Sequence, residues 1–404
     1  MKKRANIKTI IVCLIFIFLI FEQPISYLLP GSAGSLASYA DELLAIFLFM
    51  YGLLKRRFNK HQKVILGALL ALIGVGLMGT AVHHLQPFHA VIEDVVSTSK
   101  FFLALFGAYA LMRKSDGNKT IKSLQKITKI IVYSFFILTV IGYVFAIQYL
   151  LFDEVRFGIK SLSLLYYHPA VLSYVLTAFL AVLSVRVDGK KHFLEKIMCA
   201  IMLILTLRAK SIAFGFVYLL VDNYAIISKT IMRKALSIIL ITAAVVMVAK
   251  DSIMTYYGGA ENSARGRITS ESITIMYDEF PIGYGYATYG GAAAAKYYSP
   301  VYKRLHFDEV YGLGYVNTKY ATDTFWPVII AEFGSLGLII YSVFLLRCCS
   351  NGYKLLKKKN KYAYLFMIPL LYMIIVSTSS SSFLNPVIVL YSVLMSMGMN
   401  EMEV

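Results

Sequence analysis

Charge is what this sequence has least of. Only 15% of its 404 residues are charged, 58% are hydrophobic, and the mean hydropathy is +0.68. A soluble chain of this length could not keep that balance in water, so the composition points to a multi-span membrane protein. Cysteine is equally sparse. Cys13, Cys199, Cys348 and Cys349 lie in or beside apolar runs without CxxC spacing, which suggests neither a disulfide framework nor a zinc site. Phosphate-loop, GxSxG, HExxH and Rossmann fingerprints are missing too, so the soluble catalytic templates have no support. No internal repeat is visible, which counts against a transporter built from two matched halves. The first apolar segment, 7–21, follows MKKR as a signal peptide would. No small-x-small cleavage site comes after it, and it reads as a retained span.

What the sequence does have is apolar stretches. Twelve, of membrane-crossing length or nearly so, lie at about 7–23, 39–54, 63–82, 91–112, 127–151, 168–185, 194–207, 210–227, 234–249, 325–346, 362–377 and 384–399. The net charge of +18 falls in alternate connections. With the N-terminus inside, the inner segments hold 28 of the 40 basic residues and 6 acidic ones, and the remainder holds 12 against 16. That asymmetry is a topology signal rather than a nucleic-acid footprint, and it predicts two cytoplasmic termini. The expected fold is an all-α integral membrane protein of about twelve transmembrane helices with one long extracytoplasmic loop. It divides into a bundle of about nine spans (1–249), the loop with short helices (250–324) and three C-terminal spans (325–404).

The loop is the only long polar segment. It is nearly neutral, with seven basic and eight acidic residues, and it carries twelve tyrosines whose amphipathic rings suit a sugar or a membrane interface. The twelve basic residues that topology does not require are the informative ones: Lys100, Arg156, Lys160, Arg208, Lys210, Lys250, Arg265, Arg267, Lys296, Lys303, Arg304 and Lys319. Arg208 and Lys210 sit in LILTLRAKSIAFGF, which leaves almost no room to turn between two spans. A charge at that depth costs roughly 2.5–3.5 kcal/mol on insertion scales, so it either faces a cavity or a partner or snorkels to the headgroups from a tight outer turn. Arg156 and Lys160 in DEVRFGIK pose the same choice, with an ordinary outer loop as the plain alternative. HHLQPFH has no acidic or cysteine partner at ligand spacing, a weak case for a metal. Asp41, Glu42, Glu93 and Asp94 lie at outer span ends, where acidic residues either remain hydrated or pair with the surplus cations, and they read as structural or supporting residues.

Two pieces of the loop, RGRITSESITIMYDEFPIGYGYATYG and TDTFWPVIIAEFGSLGLIIYSVFLL, together resemble the Wzy O-antigen and capsule polymerases, which share a superfamily with the O-antigen ligases. Fifteen residues separate Arg267 from Gly283, as in the family's R-x15-G, and PIGYG matches its P-x-G-x-G turn. Asp323, Glu332, Gly334 and Gly337 match its polar residue and E-x-G-x-x-G. TLRAKSIAFGF is similar to the family's cationic turn between spans, and RFGIKSLSLLYYHPA is a looser match. The O-antigen ligases carry a histidine where this chain has Thr322-Asp323-Thr324, which favours a polymerase.

The resemblance implies a metal- and cofactor-independent glycosyltransferase in the cytoplasmic membrane, active on its outer face. It would move an undecaprenyl-pyrophosphate-linked oligosaccharide onto a sugar hydroxyl of another lipid-linked unit. A flippase and a chain-length regulator would be its partners. Pyrophosphate leaves as a stable anion and calls for cations, and arginine grips phosphate in two places without losing its charge. Arg208, Lys210 and Arg267 are the first candidates to hold it, with Arg265 and Arg156 behind them. Asp323, or else Glu332, is the candidate base. Gly283 and Gly285 shape the loop turn, bringing backbone close to a ligand or simply giving a flexible loop. Gly334 and Gly337 read as helix-packing residues.

Overall fold

A computed structural model of the chain describes residues 2–55, 58–112, 117–156, 158–189, 191–222 and 263–400. The span expected at 234–249 and the first part of the loop, 250–262, lie outside them. In order, the helices are α1 (Lys2–Leu28), α2 (Gly31–Ala37), α3 (Ala40–Leu53), α4 (Lys60–His83), α5 (Phe88–Met112), α6 (Gly117–Val144), α7 (Pro169–Ser184), α8 (Phe193–Leu205) and α9 (Ala209–Asp222). After the break come α10 (Ala264–Asp278), α11 (Ala292–Lys296), α12 (Pro300–Arg304), α13 (Trp326–Lys357), α14 (Ala363–Ser377) and α15 (Val387–Asn400). Each expected apolar stretch within the described residues falls on a helix. Five of these helices, α1, α4, α5, α6 and α13, are long and apolar enough to cross a membrane.

The helices sort by how far around they are apolar. Every residue of α5 from Thr98 to Met112 is buried, as are nearly all of α7 and α15, so these form the centre of the bundle. Helices α1, α3, α4 and α6 surround them and turn large apolar side chains such as Phe47, Leu70 and Ile137 outward. An exposed apolar belt of this kind suits a bilayer. Within the bundle Lys100 is buried on the carboxylate of Asp41, 2.5 Å away, so this surplus cation has a structural role. Glu93 likewise pairs with Lys296 at 2.8 Å.

One element departs from an all-helical fold. Leu151–Arg156 (β1) and Ile159–Leu162 (β2) form an antiparallel hairpin in register Leu151↔Leu162 and Arg156↔Ile159. Gly158 takes a φ of +79° in its turn, a conformation glycine adopts without strain. The segment for which an ordinary outer loop was one of two readings is therefore a hairpin.

The long loop carries its own core. Ile268, Ile275, Tyr289, Tyr298, Tyr302, Phe307 and Leu313 pack together, so several tyrosines that suggested a sugar surface are interior residues instead. Its backbone is fastened to the bundle by the strap 281–289. Tyr284 and Gly285 donate their N–H groups to the Ala331 and Glu332 carbonyls, both at 2.9 Å, where α13 breaks at Gly334 (φ +62°). Leu336 donates back to the Pro281 carbonyl at 3.2 Å. The glycines permit this approach. A Cβ on Gly285 would stand 2.1 Å from the Thr80 amide nitrogen, and one on Gly283 would stand 2.1 Å from the Ala331 oxygen. These glycines let the strap lie against α4 and α13.

Gly285→Ala combines a forced backbone overlap with an unfavourable positive φ, and it should cost at least about 1–3 kcal/mol of stability. Gly74→Ala, where an added Cβ meets nothing within 4 Å, should be neutral or slightly stabilising. Thermal unfolding of the two variants in detergent checks this, and equal midpoints would contradict it.

Candidate functional site

Four of the predicted residues meet at the loop end of the bundle. Arg208 occupies the turn between α8 and α9, after Leu207 at φ +53°. Its side chain is only 22% exposed. One guanidinium nitrogen, Nη2, lies 2.9 Å from Glu154 Oε2 and 3.2 Å from His168 Nε2. Arg156, at the tip of β1, holds the other oxygen of Glu154 through Nε and Nη2, at 2.8 and 2.6 Å, and its Nη1 donates to the Leu207 carbonyl at 3.3 Å. The hairpin thereby clamps one carboxylate between two arginines. Phe152 of the same strand places its ring 5.9 Å from the Arg208 Cζ and 5.3 Å from the His168 ring.

The loop supplies a second ion pair. Ser263 caps α10 by accepting the Gly266 N–H at 3.1 Å, which sets Arg265 in the first turn. Arg265 Nη2 donates to Asp323 Oδ2 at 2.7 Å. The two pairs lie at the same end of the bundle: Trp326, three residues after Asp323, bonds Ser377, and the adjacent Thr378 bonds Lys210, two residues after Arg208. That end thus carries three arginines and two carboxylates.

The electrostatics follow from this arrangement. Desolvation pushes the Glu154 carboxyl up, but the Arg156 hydrogen bond and the Arg208 and Arg156 charges outweigh it and hold the group below its usual value. Burial first, then repulsion from Arg156 and Arg265, lowers the affinity of Arg208 for its proton, against the pull of Glu154.

A neutral imidazole has one donor and one acceptor. His168 Nδ1 accepts the Ala170 N–H at 3.2 Å and caps α7, which leaves the ring proton on Nε2, facing an Arg208 donor. In the other tautomer Nε2 accepts from Arg208 and the Ala170 N–H loses its cap. Whichever tautomer is present, the buried Nε of Arg208 has no hydrogen-bond partner among the described residues. A buried donor of this kind suits an anion.

The remaining predicted residues lie elsewhere. Arg267 is two residues from Arg265, on another side of α10. It pairs with Glu271 at 3.0 Å and donates to the Leu305 carbonyl at 3.3 Å, bracing the loop's own fold. Lys210 bonds Thr378 Oγ1 at the end of α14, beside Ser377, which accepts from Trp326 Nε1 at 3.1 Å. Glu332 is fully buried next to Asp94. Its Oε1 accepts the Thr288 and Tyr289 N–H groups, both at 2.9 Å, and Asp94 accepts that of Ala287 at 2.8 Å. Glu332 holds the strap and has no access to a substrate, so it does not suit the role of base. Gly283 and Gly285 belong to the same strap. Of the HHLQPFH histidines, His83 lies 3.3 Å from Glu279 and His89 packs on Tyr297.

Glu154 and His168 are the residues that reasoning from sequence missed. The alternation in LFDEVR and the His-Pro pair opening an apolar helix were the available signals.

His168→Ala removes the side chain that caps α7 and should cost about 0.5–2 kcal/mol of stability, whereas His168→Asn retains a cap and should cost less. Thermal midpoints of the two variants in detergent check this, and equal midpoints would contradict it.

No family model and no curated protein matches the chain.

Proposed function

We propose that this protein is a polysaccharide polymerase of the cytoplasmic membrane, a glycosyltransferase that uses an oligosaccharide donor on undecaprenyl pyrophosphate. The observation that carries the reading is the Arg156–Arg208–Arg265 set, brought to one end of the bundle from three separate elements with two carboxylates among them and the buried Nε of Arg208 unbonded. Its position at the loop end, where the charge asymmetry predicts the extracytoplasmic side, suits a lipid-linked substrate. A flippase would deliver that substrate and a chain-length regulator would limit the product.

In the proposed reaction the acceptor sugar hydroxyl attacks the anomeric carbon of the donor. The new C–O bond forms as the bond to the pyrophosphate oxygen breaks, and the electron pair leaves with that oxygen. Arg208, flanked by Arg156 and Arg265, holds the leaving group. Fixed guanidinium groups at the place where charge develops stabilise the transition state more than the ground state. The hydroxyl proton passes to Asp323, a carboxylate 30% exposed beside Arg265. Lys210 stands at the rim, and Arg267 acts indirectly by bracing α10.

The rivals are a ligase that sends the same donor to a different acceptor, and a flippase or transporter without catalysis.

Purified protein supplied with a lipid-pyrophosphate-linked repeat unit should form a polymer ladder. Arg208→Ala and Arg265→Ala should each lower the rate by about 10²–10³-fold, as loss of a transition-state donor does. Arg267→Ala should lower the thermal midpoint. A near-normal ladder from Arg208→Ala would remove the assigned role. Folded wild-type protein that makes no polymer from its native substrate would replace the enzyme reading with ligation or transport.

A further inference from the structure

We propose that the end of the bundle opposite the arginine cluster carries a binding site for the phosphate of an anionic phospholipid, in the crevice between the first turn of α4 and the last turns of α13. The two helices run in opposite directions here, so the start of one meets the end of the other. The cavity of about 610 Å³ between them is lined by Lys60 and His61 from α4, and from α13 by Arg347, Asn351, Lys354 and Lys358 among others, with no acidic residue in its wall. That volume suits a headgroup.

The spacing of the α13 residues matters more than their number. Positions 347, 351, 354 and 358 are separated by four, three and four, so they share one face and form a polar stripe over about 16 Å of helix at 1.5 Å per residue. Like charges at such spacing repel one another, and the positive end of the α4 dipole adds to the repulsion. The C-terminal dipole of α13 offsets part of it, but among the described residues no carboxylate does. Among the described residues Lys60, Arg347, Lys354 and Lys358 form no ion pair, although at the same end of the bundle Lys122 pairs with Asp188 at 2.6 Å and Lys129 with Glu195 at 2.8 Å. Nor does helix capping explain the cavity, because Asn59 and Gln62 already complete a capping box at the start of α4. A topology signal needs basic residues in a connection; it does not need them gathered around a shared hollow.

What identifies a lipid rather than a soluble anion is the continuation of the same stripe. Stepping back from Arg347 by fours along α13 reaches Val343 and Ile339, 59% and 57% exposed, with Leu346 beside them at 69%. The face is basic over its last turns and apolar over the turns within the span. A phospholipid has this order along its length: a phosphate that meets cations at the interface and acyl chains that run against an apolar surface. Arg347, at the junction, is placed to take the phosphate in a forked contact, with Lys354 and Lys60 beside it as point charges.

The site is separate from the proposed transferase reaction and stands or falls independently. Its test is the thermal midpoint of the purified full-length chain in detergent, with phosphatidylglycerol, phosphatidylcholine or inorganic phosphate added. Phosphatidylglycerol should raise the midpoint by several degrees more than phosphatidylcholine at equal mole fraction. An Arg347→Gln, Lys354→Gln, Lys358→Gln variant should lose most of that difference, and a Lys122→Gln, Lys126→Gln control, which removes charge at the same end, should keep it. Native mass spectrometry of the wild type gives a readout without a variant, with phosphatidylglycerol retained and phosphatidylcholine lost. Equal effects of the two lipids, an unchanged difference in the triple variant, or equal retention in the mass spectrum would overturn the site. An equal rise with inorganic phosphate would assign it to a soluble phosphate and overturn the lipid.

Discussion

A polar loop that enters an apolar bundle brings backbone N–H groups, and each must find an acceptor there. The strap 281–289 meets that constraint, and the rest of the structure depends on how it does so. Glu332 accepts two consecutive amides, Asp94 accepts a third, and Thr80 Oγ1 accepts that of Tyr286 at 3.0 Å. Three spans, α4, α5 and α13, each supply one side chain. The break in α13 at Gly334 frees carbonyl groups that take two more. With the strap fixed, the loop's tyrosine core has a floor. Both partners of the Arg265–Asp323 pair are then positioned: Arg265 by a helix packed on α13, and Asp323 by the chain's return into the bundle.

The arginine cluster is thus assembled from parts with independent supports. The hairpin brings Glu154 and Arg156, the cap of α7 brings His168, a left-handed turn brings Arg208, and the loop brings Arg265 and Asp323. Charged groups at such a depth are expensive to leave unpaired, and each arginine here has a carboxylate. The pairing is nevertheless incomplete, with three cations to two anions, a histidine between donors and an unbonded Nε. Full neutralisation would leave nothing for a ligand to gain. One unfilled acceptor position, held by rigid elements, is what a preorganised anion site requires.

Much of this was legible in the sequence and some was not. Apolar runs placed the helices because the bilayer-length period survives any tertiary detail. The cationic turn at Arg208 stood out because no topology rule required it. The E-x-G and P-x-G-x-G motifs were visible too, but their meaning was not. Read as a candidate base and a ligand-shaping turn, they are the two sides of one joint, and only their meeting in space shows it. Arg265 and Arg267 could not be ranked from sequence, since they are two positions apart and it is the direction of α10 that turns one toward Asp323 and the other toward Glu271. Glu154 and His168 were hidden for a different reason. A six-residue strand with a bulge hardly departs from a loop in its pattern, and a helix-capping histidine looks like any other until its other nitrogen has a neighbour.

The account's central claim is that Arg208 anchors a pyrophosphate, and the chain carries its own reporter for it. Its single tryptophan, Trp326, follows Asp323 by three residues and bonds Ser377, next to the partner of Lys210. Titration of the purified protein with a polyprenyl pyrophosphate, read by tryptophan fluorescence, measures binding without requiring turnover. A saturable change in the wild type, shifted to at least tenfold higher ligand concentration in Arg208→Ala and absent with the unphosphorylated polyprenol, is the predicted result. Equal affinity of wild type and variant, or equal binding of the polyprenol, would contradict it.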